Sequence, residues 1–141
     1  MSINILVVDD SLPMRAVIIK VIKASGFTSA QFFEASNGKQ ALDILRNNWL
    51  DLVLTDYNMP DMNGIKLIQE MKKDDILKTI PVIMVTTEGS QKKVEEFMEE
   101  GAFDYVKKPF TPEIIKQKII RILGEADDKE CFEECNDDLD F

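Results

Sequence analysis

Five short apolar segments alternate with five amphipathic segments along most of this 141-residue chain. The apolar segments are rich in Val, Ile, Leu and Phe and have the length of buried strands, whereas the others repeat their apolar residues at helical spacing. A strand followed by a helix, five times in succession, predicts a parallel sheet covered by helices on both faces. We therefore predict an α/β fold, a doubly wound five-stranded parallel sheet with five helices.

The predicted strands span about 3–8, 31–35, 51–55, 81–87 and 103–108, and the predicted helices span about 11–25, 38–47, 65–73, 90–100 and 112–123. Local signals agree with the helix ends. Ser11 is a capping residue ahead of the first helix, and Gly26 and Gly101 each follow the end of one. Thr111 can cap the last helix because Pro112 then occupies its first position.

Most of the acidic charge of the chain lies in its last 17 residues. The formal net charge is -9, and residues 125–141 contain nine acids against one lysine, whereas residues 1–124 contain 17 acids and 16 bases. A nearly neutral body argues against binding nucleic acid through bulk charge. We expect one domain at 1–124 and an acidic, disordered tail at 125–141.

The sequence contains no signal for a membrane or for secretion. No apolar run approaches the roughly 18 residues of a membrane span, and the N-terminus lacks a signal-peptide pattern. The two cysteines, Cys131 and Cys135, lie together in the tail and cannot cross-link the body, which is typical of a reducing compartment. They rarely form a selective zinc site without histidine, which this sequence lacks. We expect a cytoplasmic protein.

Polar and charged residues lie at or just after the carboxyl ends of four of the predicted strands. They are Asp9 and Asp10, Asp56, Thr86 and Thr87, and Lys108. The carboxyl ends of parallel strands meet at one edge of the sheet, where α/β proteins bind their ligands. Neither helical periodicity nor turn preference requires this set, so we interpret the edge as a functional site.

Three clustered carboxylates repel one another, so their negative charge must be compensated. Two charges about 4 Å apart repel by roughly 4 kcal/mol at an effective dielectric constant near 20. Either one carboxylate takes up a proton or a cation lies among them, and oxygen ligands of this kind suit Mg²⁺. With the ammonium of Lys108 and a hydroxyl, such a site can hold a phosphoryl group, and an ionised aspartate there can form an acyl phosphate.

Five motifs resemble the receiver domain of two-component response regulators, namely ILVVDDS with Arg15 after it, EASNG with Ala41 and Leu42 after it, DLVLTDYNMPDMNG, PVIMVTTE and GAFDYVKKPF. The resemblance covers residues 3 to about 123. Because no output domain follows in the sequence, we expect a stand-alone receiver similar to the CheY-like receivers of chemotaxis. The resemblance implies the strand order 2-1-3-4-5 of flavodoxin and CheY, which alternation alone does not determine.

The resemblance also implies how the acids are used. Asp56 matches the phosphoacceptor, Asp10 the direct metal ligand, and Asp9 the acid that helps to hold Mg²⁺ and its water. The backbone carbonyl of Asn58 matches a further metal ligand. Asn58 and Glu88 match two positions that tune how long the phosphate survives.

The remaining matches concern the switch. Lys108 matches the lysine that pairs with the phosphoacceptor, because in the family this lysine directly precedes the proline; the neighbouring Lys107 does not match. Thr86 matches the hydroxyl that moves onto the phosphoryl group. Tyr105 matches the aromatic residue whose ring turns inward on activation.

A receiver of this kind is a signalling switch that assists only its own phosphorylation and dephosphorylation. The resemblance implies that a partner histidine kinase donates a phosphoryl group to Asp56 with Mg²⁺ bound. The face formed by the fourth helix, fifth strand and fifth helix would then contact an output protein. The flagellar motor switch of chemotaxis is the leading candidate, with a phosphatase as a further partner. A phosphate sink or other phosphorelay receiver is the alternative.

Three other protein classes fit the pattern less well. A phosphohydrolase of the haloacid dehalogenase type also uses an aspartate nucleophile, Mg²⁺, a threonine and a lysine, but it needs a second acid where this chain has Asn58. A flavodoxin-like electron carrier would need a hydroxyl- and glycine-rich loop after the first strand, where Asp9 and Asp10 would repel the FMN phosphate. A DNA-binding regulator would need a helix-turn-helix after residue 123.

Apolar residues stand among the acids of the tail, at Phe132, Leu139 and Phe141. The predicted output face carries several cations, namely Lys92, Lys93, Lys107, Lys116, Lys118 and Arg121. Three interpretations of the tail are open: a solvated end, a segment that folds back on this basic face and competes with the partner through attraction that salt would weaken, or a segment that recruits a partner of its own.

Overall fold

The computed structural model describes residues 3–87 and 89–123, in which five strands alternate with five α-helices. The strands are β1 (Asn4–Val8), β2 (Gln31–Ala35), β3 (Leu52–Asp56), β4 (Val82–Thr86) and β5 (Asp104–Lys107). The helices are α1 (Leu12–Ala24), α2 (Gly38–Asn47), α3 (Gly64–Lys72), α4 (Gln91–Glu100) and α5 (Pro112–Leu123). None of the helices in the described part of the chain is both long and apolar enough to span a membrane.

All five strands are parallel and lie in the order β2-β1-β3-β4-β5. This arrangement confirms the predicted α/β fold class and the strand order that the resemblance implied. Val8, the last residue of β1, pairs with Ala35 of β2 and with Thr55 of β3. The carboxyl ends of neighbouring strands therefore lie side by side at one edge of the sheet.

Each face of the sheet has a separate apolar core. Met84 of β4 packs among residues of α2, α3 and α4, including the buried Phe97. Its neighbour Val85 faces the opposite side and packs with Ile18 of α1 and Ile115 of α5. Successive residues of a strand point to opposite faces, so a strand that is covered on both faces must be apolar throughout.

Capping side chains begin all five α-helices of the described residues. They are Ser11, Asn37, Asn63, Ser90 and Thr111, and each accepts a hydrogen bond from the backbone N–H three residues further on. Gly101 ends α4 with φ of 113°, a left-handed conformation that glycine adopts without steric cost.

Two features at the ends of elements differ from the sequence-based expectation. Asp56 is the last residue of β3 and does not follow it, because it pairs with Val85 of β4. A short 3-10 helix at Leu77–Thr79 was not expected. Asp74 Oδ1 accepts the backbone N–H groups of Ile76 at 2.8 Å and Leu77 at 3.1 Å, which stabilises this turn between α3 and β4.

Candidate functional site

Three carboxylates meet at the carboxyl edge of the sheet. Asp9 and Asp10 follow β1, and Asp56 ends the neighbouring strand β3. One carboxylate oxygen from each of the three lies within 4.8 Å of the others. Asp9 is buried, Asp56 is partly buried and Asp10 is exposed, so the cluster opens to solvent on the side of Asp10.

Lys108 reaches this cluster from the loop after β5. Its Nζ lies 3.3 Å from Asp9 Oδ2 and 3.4 Å from Asp56 Oδ1. Its backbone N–H donates to the carbonyl of Thr86 at 2.7 Å, which attaches this loop to the end of β4. Lys107 is exposed and makes no ion pair with the three acids in the part of the chain that the structure describes. The structure therefore brings Lys108, and not Lys107, to the carboxylates.

The environment of Asp56 makes its ionisation less favourable than that of a solvated aspartate. Burial raises the pKa of the Asp56 carboxyl above its ordinary value of 3.8, and the nearby charge of Asp9 raises it further. The charge and hydrogen bond of Lys108, together with a hydrogen bond from the Asn58 backbone, act in the opposite direction without cancelling the rise. A second cation among the carboxylates would favour the ionised, nucleophilic form of Asp56.

The donor set fits a small hard cation. Carboxylate oxygens are the ligands that Mg²⁺ prefers, and Mg²⁺ usually keeps several waters. The exposed side at Asp10 leaves room for that water, while Asp9 and Asp56 form the wall of the site. Asn58 follows Asp56 by two residues and is exposed, so its backbone carbonyl lies in the loop that borders the same cluster.

Arg15, which was not predicted to be a site residue, holds the backbone next to the cluster. Arg15 Nη1 donates to the carbonyl oxygen of Asp9 at 2.6 Å, and its Nε donates to Glu34 Oε1 at 2.9 Å. Asp9 Oδ1 also accepts the backbone N–H of Ser11 at 2.9 Å. The available signal was spacing, because a residue four positions after Ser11 lies over the first turn of α1.

Thr86 and Tyr105 lie near each other on one face of the sheet. Thr86 ends β4 and is fully buried, whereas Tyr105 in β5 is half-buried. Met84 pairs with Tyr105, and Thr86 pairs with Lys107. Because residues two apart in a strand share a face, Thr86 and Tyr105 both point to the side of Met84, where the Tyr105 ring packs against the core beneath α2, α3 and α4.

Three cations of the predicted output face already have acidic partners. Lys93 Nζ lies 3.1 Å from Glu96 Oε1. Lys118 Nζ and Arg121 Nη1 each lie 3.1 Å from a carboxylate oxygen of Asp104. These ion pairs offset part of the positive charge of the predicted output face at the three residues.

Two of the sequence-based predictions concern residues outside those that the structure describes. They are the role of Glu88 in phosphate lifetime and the character of the tail at 125–141.

Comparisons with known proteins agree with the geometry. The family model for the response regulator receiver domain matches residues 5–120. The chemotaxis protein CheY1 of Helicobacter pylori is 38% identical over 125 residues, which cover 88% of this chain and 99% of that protein. The chemotaxis protein CheY of Pseudomonas aeruginosa is 40% identical over 120 residues, 85% of this chain and 95% of that protein.

A solved structure is also similar to this chain. The structure of the chemotaxis protein CheY4 of Vibrio cholerae matches with a TM-score of 0.78 and 29% sequence identity. The match covers 87% of this chain and 100% of that one.

Proposed function

The chain belongs to the response regulator receiver family, and on that premise we propose that it is a phosphorylation-dependent switch in chemotaxis. The observation that carries the proposal is the position of Lys108 Nζ, 3.3 Å from Asp9 and 3.4 Å from Asp56 in a cluster of three acids. A nucleophilic carboxylate, further acids for a metal and a fixed ammonium are the groups that phosphoryl transfer to an aspartate requires. The chemotaxis assignment rests on the names of the relatives.

Asp56 is the phosphoacceptor in this proposal. One of its carboxylate oxygens attacks the phosphorus of a phosphohistidine on a partner histidine kinase, the P–N bond breaks, and the histidine ring leaves. Before phosphoryl transfer, the ammonium of Lys108 compensates the negative charge of Asp56, because the two side chains form an ion pair. After the transfer, the same ammonium can contact a phosphoryl oxygen. Asp9 orients Lys108 from the buried side of the site.

Mg²⁺ is the cofactor in this proposal. The carboxylates of Asp9, Asp10 and Asp56 and the backbone carbonyl of Asn58 would hold it, and when bound it supplies positive charge that stabilises the phosphoryl oxygens. Arg15 keeps the Asp9 backbone in place by donating to its carbonyl. This hydrogen bond restricts the peptide that joins the two acids after β1.

The switch is proposed to run through Thr86 and Tyr105. The phosphoryl group draws the Thr86 hydroxyl towards it, and the Tyr105 ring moves inward on the same face of the sheet. The surface formed by α4, β5 and α5 then contacts an output protein, the flagellar motor switch. Changing a two-state ratio from 1:99 to 99:1 requires about 5.5 kcal/mol, which a few charge-assisted hydrogen bonds to a phosphoryl group can supply.

We propose that the receiver domain spans 1–124, that the acidic tail at 125–141 lies outside it, and that the protein works in the cytoplasm with a kinase and a phosphatase.

A phosphate sink in a phosphorelay uses the same site chemistry and is the alternative. A phosphate sink would differ from the proposed switch only in lacking an output protein that binds the phosphorylated form.

The test is labelling with a small phosphodonor such as acetyl phosphate, with and without Mg²⁺. One phosphoryl group per chain should appear in the intact mass, on Asp56, and only with Mg²⁺. The D56N variant should remain unlabelled. D61N is a matched control in the adjacent loop, because Asp61 has a positive φ of 70° that Asn also tolerates, and it should be labelled as the wild type is.

Two outcomes contradict the proposal. One is phosphate on Asp9 or Asp10 in the unmodified protein. The other is sustained turnover of added phosphate esters, which would favour a phosphohydrolase.

A further inference from the structure

A lysine of α5 lies over the ring of Tyr105. The Nζ of Lys118 is 5.4 Å from the ring centroid, within the distance of about 6 Å at which a cation is attracted to the face of an aromatic ring. Lys118 belongs to a helix on the opposite face of the sheet from α4, so its side chain reaches the ring around the edge strand β5. The contact joins α5 to the residue proposed to move on activation.

Asp104 fixes the position of Lys118. Its side chain is 10% exposed, and its Oδ1 accepts a hydrogen bond from Lys118 Nζ at 3.1 Å and another from the backbone N–H of Tyr105 at 2.8 Å. Its Oδ2 accepts a hydrogen bond from Arg121 at 3.1 Å. A buried carboxylate with three donors is strongly held. Lys118 is therefore anchored over the ring by a group that belongs to β5 itself.

The Tyr105 ring is only partly enclosed by its neighbours. The residue is half-buried, and a groove of about 370 Å³ at the edge of β5 is lined by Tyr105, Lys118, Ile114 and the stretch 106–109. The ring has core on one side and this open groove on the other. A single contact can therefore change its preferred position.

We propose that Lys118, anchored by Asp104, is a positioning residue that holds the Tyr105 ring at the outer edge of β5 and so sets how readily the ring moves inward. The link between inward movement and activation rests on the proposed function, but the effect of Lys118 on the ring does not. Attraction of this kind at a partly exposed site changes the ratio of two ring positions by about two- to fivefold.

Arg121 provides a matched control. It pairs with the same carboxylate of Asp104, at the same distance as Lys118, and the ring contact of Tyr105 comes from Lys118. The K118M and R121M variants each remove one cation from Asp104, but only K118M removes the cation from the ring. K118R restores a cation that can also lie over an aromatic face.

The first experiment follows the two tyrosines of the chain, Tyr57 and Tyr105, by NMR with ¹³C-labelled tyrosine rings in metal-free, unphosphorylated protein. In K118M the Tyr105 ring signals should shift while those of Tyr57 stay in place. R121M should leave both unchanged, and K118R should return Tyr105 towards its wild-type position. Unchanged Tyr105 signals in K118M, or equal shifts in K118M and R121M, would overturn the positioning role.

The second experiment measures binding of beryllofluoride, a phosphoryl mimic, in the presence of Mg²⁺. K118M should bind it about two- to fivefold more tightly than the wild type because the ring is already released, and R121M should bind it as the wild type does. Equal affinity in K118M and wild type would overturn the coupling to activation. Failure of the wild type to bind beryllofluoride would overturn the proposed function, while the Tyr105 signals would still decide the role of Lys118.

Discussion

Lys108 Nζ lies 3.3 Å from Asp9 Oδ2, although 99 residues separate the two in the chain. The same ammonium lies 3.4 Å from Asp56 Oδ1. One cation from the loop after β5 thus connects the ends of β1 and β3. Because Asp9 is almost fully buried, this ammonium replaces the water that a charged carboxylate would otherwise need.

Replacing Lys108 with Met should destabilise the protein. The substitution leaves a buried and a partly buried carboxylate without their cation, which costs about 1–3 kcal/mol in the free energy of unfolding. The K107M variant is the matched control and should lie within about 0.5 kcal/mol of the wild type, because Lys107 is exposed. Urea unfolding measures the free energy of unfolding of both variants, and equal values for K108M and K107M would contradict the structural role of Lys108.

The ionised carboxylate of Asp56 should lower the free energy of unfolding of the metal-free protein at neutral pH. Its pKa is raised in the folded protein, so between 3.8 and that raised value the folded state binds more protons than the unfolded state. The free energy of unfolding therefore falls as pH rises through this interval. In metal-free protein, D56N should be more stable than the wild type near pH 7, and the difference should shrink towards about pH 4. Urea unfolding between about pH 4 and pH 7 measures the difference in the free energy of unfolding between D56N and the wild type. A difference that grows on acidification would contradict the raised pKa of Asp56.

Mg²⁺ should stabilise the wild type through the acid cluster. A ligand that binds only the folded state adds about 2.7 kcal/mol at one hundred times its dissociation constant. The D10N variant should lose most of this gain because it removes one of the three clustered carboxylates. D61N should retain it, since Asp61 is not one of the three. Urea unfolding with and without MgCl₂ gives the comparison, and equal loss in both variants would argue against the site.

Trp49 fluorescence should respond little to Mg²⁺ or to phosphorylation. Trp49 is 80% exposed, and its carbonyl accepts a hydrogen bond from the Asn4 side chain at the start of β1, so it lies at the amino edge of the sheet. Seven residues at roughly 3.3 Å each place it about 23 Å from Asp56. A titration with MgCl₂ followed by tryptophan emission tests this, and a large quench would contradict the placement of the site at the carboxyl edge.

The acyl phosphate should last seconds to minutes. We propose that Asn58 and Glu88 tune this lifetime, and Thr87 is exposed and small enough to admit water. Decay of label from the phosphorylated protein, in the presence of Mg²⁺ and without a phosphatase, measures the lifetime. A half-life of hours would argue against the chemotaxis assignment.

The sequence by itself determined the elements and the composition of the site. Strands that must be buried on both faces are apolar throughout, and helices repeat their apolar residues every three or four positions, so both patterns are visible without coordinates. The acids after β1 and at the end of β3 could be assigned to one edge because parallel strands share a direction. The end of β3 was predicted one residue too early, because Asp56 belongs to the strand only through its pairing with Val85.

Tertiary structure decided the contacts between side chains from distant elements. The spacing of Arg15 after Ser11 places it over the first turn of α1 but does not show that it donates to the carbonyl of Asp9. No local pattern indicates that Asp104 holds both Lys118 and Arg121. A charged residue in a helix has the same sequence pattern whether it faces water or reaches an acid on a neighbouring strand. The outcome depends on how α1 and α5 pack against the sheet, which long-range packing determines and local periodicity does not.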